Sequence, residues 1–457
     1  MNPTDDFLYL ATLRVMRIQL IGAGFCMLAM SASAQFKNRL LDGGNEGANH
    51  YPVEPSIAVS FKDPKALVAG SAYGDVFHSS DGGTTWNKSI LKSNPGVSEK
   101  PILVSDYSGN FYRFLSTYSS EDGQAVSVRS NRIVVQKSKD GGKSWDTGET
   151  VVHEPNKYLT RPWAAIDRKG NLYASWSQFD SPISDDPNCK SIIMFSKSSN
   201  GNKWSKPVQI SMTPGDCKDD DNTLIGGVPS VTNDGKAFVI WSHQGLIILD
   251  RSLNGGDTWL TNDIGLIEQP GGWSMSIPGI NRCSSMPMVV CDNSKTNFSG
   301  ALYMIWADQQ HGKDDSDIWF MRSFNYGDNW TSPLRINDDG PGRHQFMPSM
   351  AVDPVTGHIF IVFYDRRNYE DEQTDVYLAY STDNGGTFKN VKVSESSFRP
   401  TATIPLGNFT GISAYDGTIV PIWTRMDDGK TSVWTTIIKM SDLEQEEPSS
   451  KTQKKKK

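Results

Sequence analysis

The chain has 457 residues, 37% hydrophobic and 10% aromatic, with 40 glycines and a formal net charge of −7 at pH 7. That charge gives no general reason to expect nucleic-acid binding, and the one basic cluster, Lys454 to Lys457, follows a Glu/Ser/Pro-rich stretch and reads as a disordered, solvated tail over 441–457. A chain this long would ordinarily divide into two or three domains, unless it is built of repeats that behave as one unit.

At the N-terminus Arg14 and Arg17 precede an apolar run from Ile18 to Met30, followed by Ala32-Ser33-Ala34. This is the pattern of a signal peptide cleaved near Ala34, with residues 1–15 as an upstream extension and Met16 as the start. The run is too short to span a bilayer comfortably, so no transmembrane segment is expected and the mature protein is predicted to be secreted or periplasmic.

From residue 79 onward one phrase returns. Its best copies are Ser79-x-Asp81-x-Gly83-x-Thr85-Trp86, Ser138-x-Asp140-x-Gly142-x-Ser144-Trp145, Ser252-x-Asn254-x-Gly256-x-Thr258-Trp259 and Ser381-x-Asp383-x-Gly385-x-Thr387-Phe388. Ser323-x-Asn325-x-Gly327-x-Asn329-Trp330 is looser, and Gly201 with Trp204 is a decayed copy. Asp, Asn and Gly tolerate left-handed backbone and bond their own backbone in tight turns, so each box reads as a hairpin loop whose closing aromatic pins the hairpin to its blade. On this reading Asp81, Asp140, Asn254, Asn325 and Asp383 are structural.

The closing aromatics are 59, 59, 55, 71 and 58 residues apart, the length of a four-stranded unit with its turns. A proline before an apolar run opens each unit, at Pro55, Pro101, Pro162, Pro229, Pro287 and Pro348, and a seventh unit without a box begins at Gly411. Phe36 to Gly43 reads like the segments that follow each box. It is predicted to supply the outer strand of the last blade and close the ring. The fold class is therefore an all-β propeller over 35–440, seven-bladed, with six blades as the alternative.

The repeated phrase is the Asp-box, or BNR, repeat, and the chain resembles the sialidase-like Asp-box β-propellers. The resemblance implies a carbohydrate-active protein whose boxes lie on the blade periphery, with the site at the central channel on the opposite face. A sialidase holds a carboxylate with arginines and uses a tyrosine nucleophile assisted by a glutamate, with an aspartate acid/base. Here the loops of that face offer Tyr364 and Asp365 as catalytic candidates and Arg161, Arg366, Arg367, Arg425 and Arg343 as substrate-binding ones. They also carry Tyr51, Glu54, His243, Arg282 and an acidic stretch from Asp308 to Asp317 with His311. Val53-Glu54-Pro55 stands where the family carries a Phe/Tyr-Arg-Ile-Pro motif. Three functions follow: a glycosidase-type enzyme on acidic glycans, a non-catalytic glycan- or protein-binding propeller, and a polysaccharide lyase. An acid, a tyrosine and two or more arginines converging in the channel would mark the first. The expected partner is a glycan or polysaccharide, with no cofactor and no metal.

Four cysteines follow the signal segment. Sequence allows three connectivities, and Cys189 with Cys217 is favoured because both fall in loops of one face in adjacent positions. Cys283 and Cys291 flank Met286-Pro287-Met288-Val289-Val290, which if extended holds them too far apart to bridge.

Overall fold

A computed structural model describes residues 35–44, 51–72, 75–91, 99–117 and 130–444. The expected signal segment and the lysine tail lie outside them. Among the described residues no helix is long and apolar enough to cross a membrane.

Seven antiparallel sheets of four or more strands surround one axis, six of them built outward in chain order. Their innermost strands are Val53–Val59, Glu99–Ser105, Tyr158–Ile166, Ile225–Val231, Met288–Cys291, Gln345–Val352 and Gly411–Tyr415, which define blades one to seven. In blade seven the strands Gly411–Tyr415, Thr418–Asp427 and Lys430–Thr435 are completed by Arg39–Asp42, with Arg39 opposite Thr435 and Leu40 opposite Trp434. The ring is thus a seven-bladed propeller closed by its N-terminal strand.

An innermost strand has one edge without a ladder, which is where a proline costs no hydrogen bond. Serines bridge several of these edges: Ser56 accepts from the Leu103 N–H at 2.9 Å, Ser105 donates to the Val59 carbonyl at 2.6 Å, and Ser349 donates to Thr410 at 2.7 Å. In blades one, two, three and six the opening proline sits in the bulge where the innermost strand slips against the second, and in blade five it immediately precedes the strand. Blade four differs: Pro229 pairs opposite Val239 beyond the bulge, and the bulge itself falls at Gly226-Gly227. Two glycines achieve there what a residue and a proline achieve elsewhere, so the sequence cue shifted by two positions.

Each box joins the third strand to the fourth. In the first, Ser79 Oγ accepts from the Gly83 N–H at 2.9 Å and donates to Asp81 Oδ1 at 2.8 Å, and Asp81 accepts from the Thr85 N–H at 2.9 Å and hydroxyl at 2.6 Å. The Thr85 hydroxyl and N–H, with Ser79, hold the Asp81 carboxyl down to about 2. The same bonds recur around Asp140, Asn254, Asn325 and Asp383. All five side chains serve the turn.

The box aromatics reach further than the sequence suggested. Rather than pinning only its own blade, each box packs on the blade before it. Trp259 meets Phe195 of blade three edge-on at 4.7 Å, Phe388 meets Phe320 of blade five at 5.0 Å, and Trp204 meets Phe114 of blade two at 5.8 Å. Trp145 shares a core cluster with Ala58, Val68 and Val76 of blade one. The box glycine is part of this joint: Gly256 has φ +86°, and a Cβ there would run into the Phe195 ring.

Blade seven has no box, and the short helix Met440–Glu444 occupies that role. Leu443 is buried in the blade six core and accepts from the Tyr380 hydroxyl through its carbonyl at 3.2 Å. The boundary placed at 440 in the sequence falls inside this docked helix. Apolar Leu443 amid Ser, Asp and Glu is too short a signal to mark it.

Cys189 and Cys217 form the disulfide, with α-carbons 5.7 Å apart, while Cys283 and Cys291 are free and buried. In blade four Asp250 is fully buried; Oδ1 accepts from the Arg251 and Leu260 N–H groups and Oδ2 has no partner. Burial pushes this carboxyl from 3.8 up to about 7. Between those values the folded chain holds a proton that the unfolded chain has released, so this residue's contribution to stability falls as pH rises through the interval and is flat above it. Asp250→Asn is expected to gain about 1–3 kcal/mol on the wild type between pH 5 and pH 8. Paired urea melts at the two pH values check this; a pH-independent difference would contradict it.

Candidate functional site

On the face opposite the boxes, the start of the innermost strands forms the channel mouth. There the ladder to the second strand slips by one residue, between Val53 and Ser56, Thr160 and Trp163, and Phe346 and Ser349. The residue before the opening proline takes a left-handed backbone: Glu54 at φ 53°, Arg161 at 51° and Met347 at 51°. A bulge re-aims a side chain, and left-handed backbone at Glu54 and Arg161 is the kind of strain that clusters at functional sites. Both residues are thereby turned into the mouth.

They line a cavity of about 320 Å³ with Tyr51, Arg282, Asn281 and the segment from Pro405 to Asn408. Asn408 joins the two charged residues, donating through Nδ2 to Glu54 Oε1 and accepting from Arg161 Nη2 at 3.4 Å. Arg161 Nη1 meets the Met286 sulfur at 3.0 Å. No carboxylate among the described residues bonds Arg161, although it is only 4% exposed. Burial, with the Arg282 charge beside it, lowers its pKa to about 10, and Glu54 and Asp219 oppose that shift.

Arg282 lies over the Trp273 ring at 4.4 Å, and Arg161 over the same ring at 5.6 Å. Arg282 is held by both carboxylate oxygens of Asp219, and Trp273 Nε1 donates to the Asp220 carbonyl at 2.8 Å. The Cys189–Cys217 disulfide anchors the start of this acidic loop. Below the mouth the channel narrows between Trp163, Met286, Met347 and Phe409.

Of the residues singled out in the sequence, the cavity takes Arg161, Tyr51, Glu54 and Arg282. Tyr364 lies fully buried between blades six and seven, where its hydroxyl donates to the Thr424 carbonyl at 2.7 Å and accepts from the Thr424 N–H at 3.1 Å. Asp365 is buried as the partner of Arg367, 2.8 Å from its Nε. Burial opposes the Arg367 charge, and Asp365 and Asp338 outweigh it, so the guanidinium is held above its ordinary range. Arg343 pairs with Glu370 and Arg425 with Asp427. Arg366 is buried with Nη1 on the Pro278 carbonyl at 2.8 Å, and its Nη2 has no partner. Among the described residues that line this cavity are none of Tyr364, Asp365, Arg343, Arg366, Arg367 and Arg425.

Asn408 escaped the sequence reading because it belongs to no box and no strand. The pairs Glu54-Pro55 and Arg161-Pro162 did carry a signal, since both stand at the same point of their units. His311, Asp315 and Asp317 place one ligand atom each within 4.8 Å of one another. Asp317 already accepts from His311 at 2.6 Å, Arg335 at 3.1 Å and Asn337 at 2.7 Å, so the group is held as an ion-paired cluster.

No family model and no curated protein matches the chain. Among solved structures it is similar to a Hadza microbial sialidase, at 13% identity over 82% of this chain and 73% of that one, with a TM-score of 0.46. It is also similar to Trypanosoma rangeli sialidase in complex with sialic acid, at 12% over 89% and 60%, TM-score 0.47. A third is Penicillium chrysogenum α-L-arabinanase complexed with arabinobiose, at 12% over 88% and 98%, TM-score 0.48. The assignment to the seven-bladed β-propellers rests on this chain's own strand order.

Proposed function

We propose that the protein is a carbohydrate-active propeller of glycosidase type that takes an acidic glycan at the channel mouth. The observation that carries this is the buried Arg161 guanidinium, which faces a cavity and has no carboxylate of its own. A buried charge is costly unless an anion meets it, and a planar guanidinium suits a sugar carboxylate. Tyr51 and Glu54 line the same cavity, so a tyrosine nucleophile with an assisting carboxylate stands beside the anion site. Export with cleavage near Ala34 belongs to this proposal, and the disulfide agrees with it.

A binding-only reading has one observation in its favour: Glu54 is the single carboxylate among the described lining residues, so the paired carboxylates of most glycosidases are missing. The test is a panel of acidic and neutral oligosaccharides with product detection. Arg161→Gln is expected to weaken acidic ligands by roughly 10- to 100-fold, the worth of a hydrogen bond to a charged group. Glu54→Gln should bind them yet release no product. Equal binding of neutral sugars, or wild-type affinity in Arg161→Gln, would sink the reading; binding without turnover in the wild type would leave the binding-only one.

A further inference from the structure

The channel has a second mouth on the box face, and the described residues that line it include cations but no acids. A cavity of about 170 Å³ is lined there by Tyr107, Arg168, Lys295, Pro354, Val355 and Tyr415. Arg168 is fixed rather than free: Nη2 donates to the carbonyls of Asn293 at 3.2 Å and Pro354 at 3.4 Å, and the guanidinium lies 5.0 Å over the Tyr107 ring. Its Nε is buried with no partner. No carboxylate among the described residues forms an ion pair with Arg168 or Lys295. Asp353, in the same group of loops, spends its oxygens on the N–H groups of Val355, Asp416 and Gly417.

The wall is aromatic. Phe61 packs between Tyr107 at 5.0 Å and Tyr415 at 5.4 Å, which holds both tyrosines at the rim. A tyrosine offers an apolar face and a polar tip together, which matches a sugar ring with its C–H face and hydroxyl edge. The cavity of about 170 Å³ has room for one such ring. Toward the other mouth the channel is lined by Trp163 and Phe409, and it narrows where Met286 and Met347 join them.

We propose that this lower mouth is a second binding site, for a single sugar residue carrying an oxyanion, with Arg168 and Lys295 on the anion and Tyr107 and Tyr415 on the ring. The inference does not rest on the upper cavity. The oxyanion is a carboxylate or a sulfate, and the test separates them: calorimetric titration of the full chain with glucuronate, galactose 6-sulfate, galactose and inorganic sulfate.

Arg168→Gln is expected to weaken the preferred anionic sugar tenfold or more, and Lys295→Gln by a smaller factor with its melting temperature unchanged. Lys295 is exposed, so its variant keeps the test open if Arg168→Gln fails to fold. Wild-type affinity in both variants would overturn the proposal, as would inorganic sulfate binding as tightly as galactose 6-sulfate. Arg161→Gln is titrated in parallel. If it alone removes all binding, the upper site stands and this one falls; if it removes none while Arg168→Gln does, the upper reading falls and this one stands.

Discussion

A chain lacking residues 36–43 is expected to melt on the order of 5–10 °C below the full protein. The segment buries Phe36 and Leu41, worth roughly 1.5–3 kcal/mol each, and completes the outer edge of blade seven. It also ties that blade to blade six: Asn38 donates to the Val393 carbonyl at 2.8 Å and exchanges bonds with Glu395 at 2.9 and 2.7 Å. In a ring each blade contacts only its neighbours, so loss of one joint frees both flanks. Differential scanning calorimetry decides it, and an unchanged melt would mean that the ring closes without this strand.

Trp145→Ala is expected to cost about 3–5 kcal/mol, the usual range for emptying a fully buried aromatic site. The indole is 0% exposed and lies where blade two meets blade one, against Val68 and Val76. The effect should exceed that of Trp86→Ala, whose ring is partly exposed. Denaturant unfolding of the two variants measures both; a loss below about 1 kcal/mol at Trp145 would contradict the role of the box as an interblade joint.

The architecture was legible because the boxes repeat locally: serine, acid or amide, glycine and aromatic all act within one turn, so their spacing survives in the sequence. What the aromatic touches did not survive, since the neighbouring blade is some 60 residues away and the sequence carries no mark of it. The site was harder for a related reason. In Phe363-Tyr364-Asp365 the period of two sends Phe363 and Tyr364 to opposite faces of the blade, and in an exposed sheet one of them would be free. Every blade is covered on both faces by its neighbours, so Tyr364 is as buried as Phe363. A polar cluster in sequence became an interblade strut and a closed ion pair. The mouth instead draws Glu54, Arg161, Arg282 and Asn408 from four separate stretches of the chain, and only the repeated residue-proline step hinted at two of them.

On the proposed function, Arg161 at the upper mouth receives the anion of an acidic glycan. A crystal structure of the Glu54→Gln protein soaked with an acidic oligosaccharide tests it most directly, because that variant should bind without turning the ligand over. The expected result is a sugar carboxylate within about 3 Å of the Arg161 guanidinium, with the ring between Tyr51 and Asn408. A saturating soak that leaves Arg161 without an anion, or places the sugar elsewhere on the ring, would contradict the account.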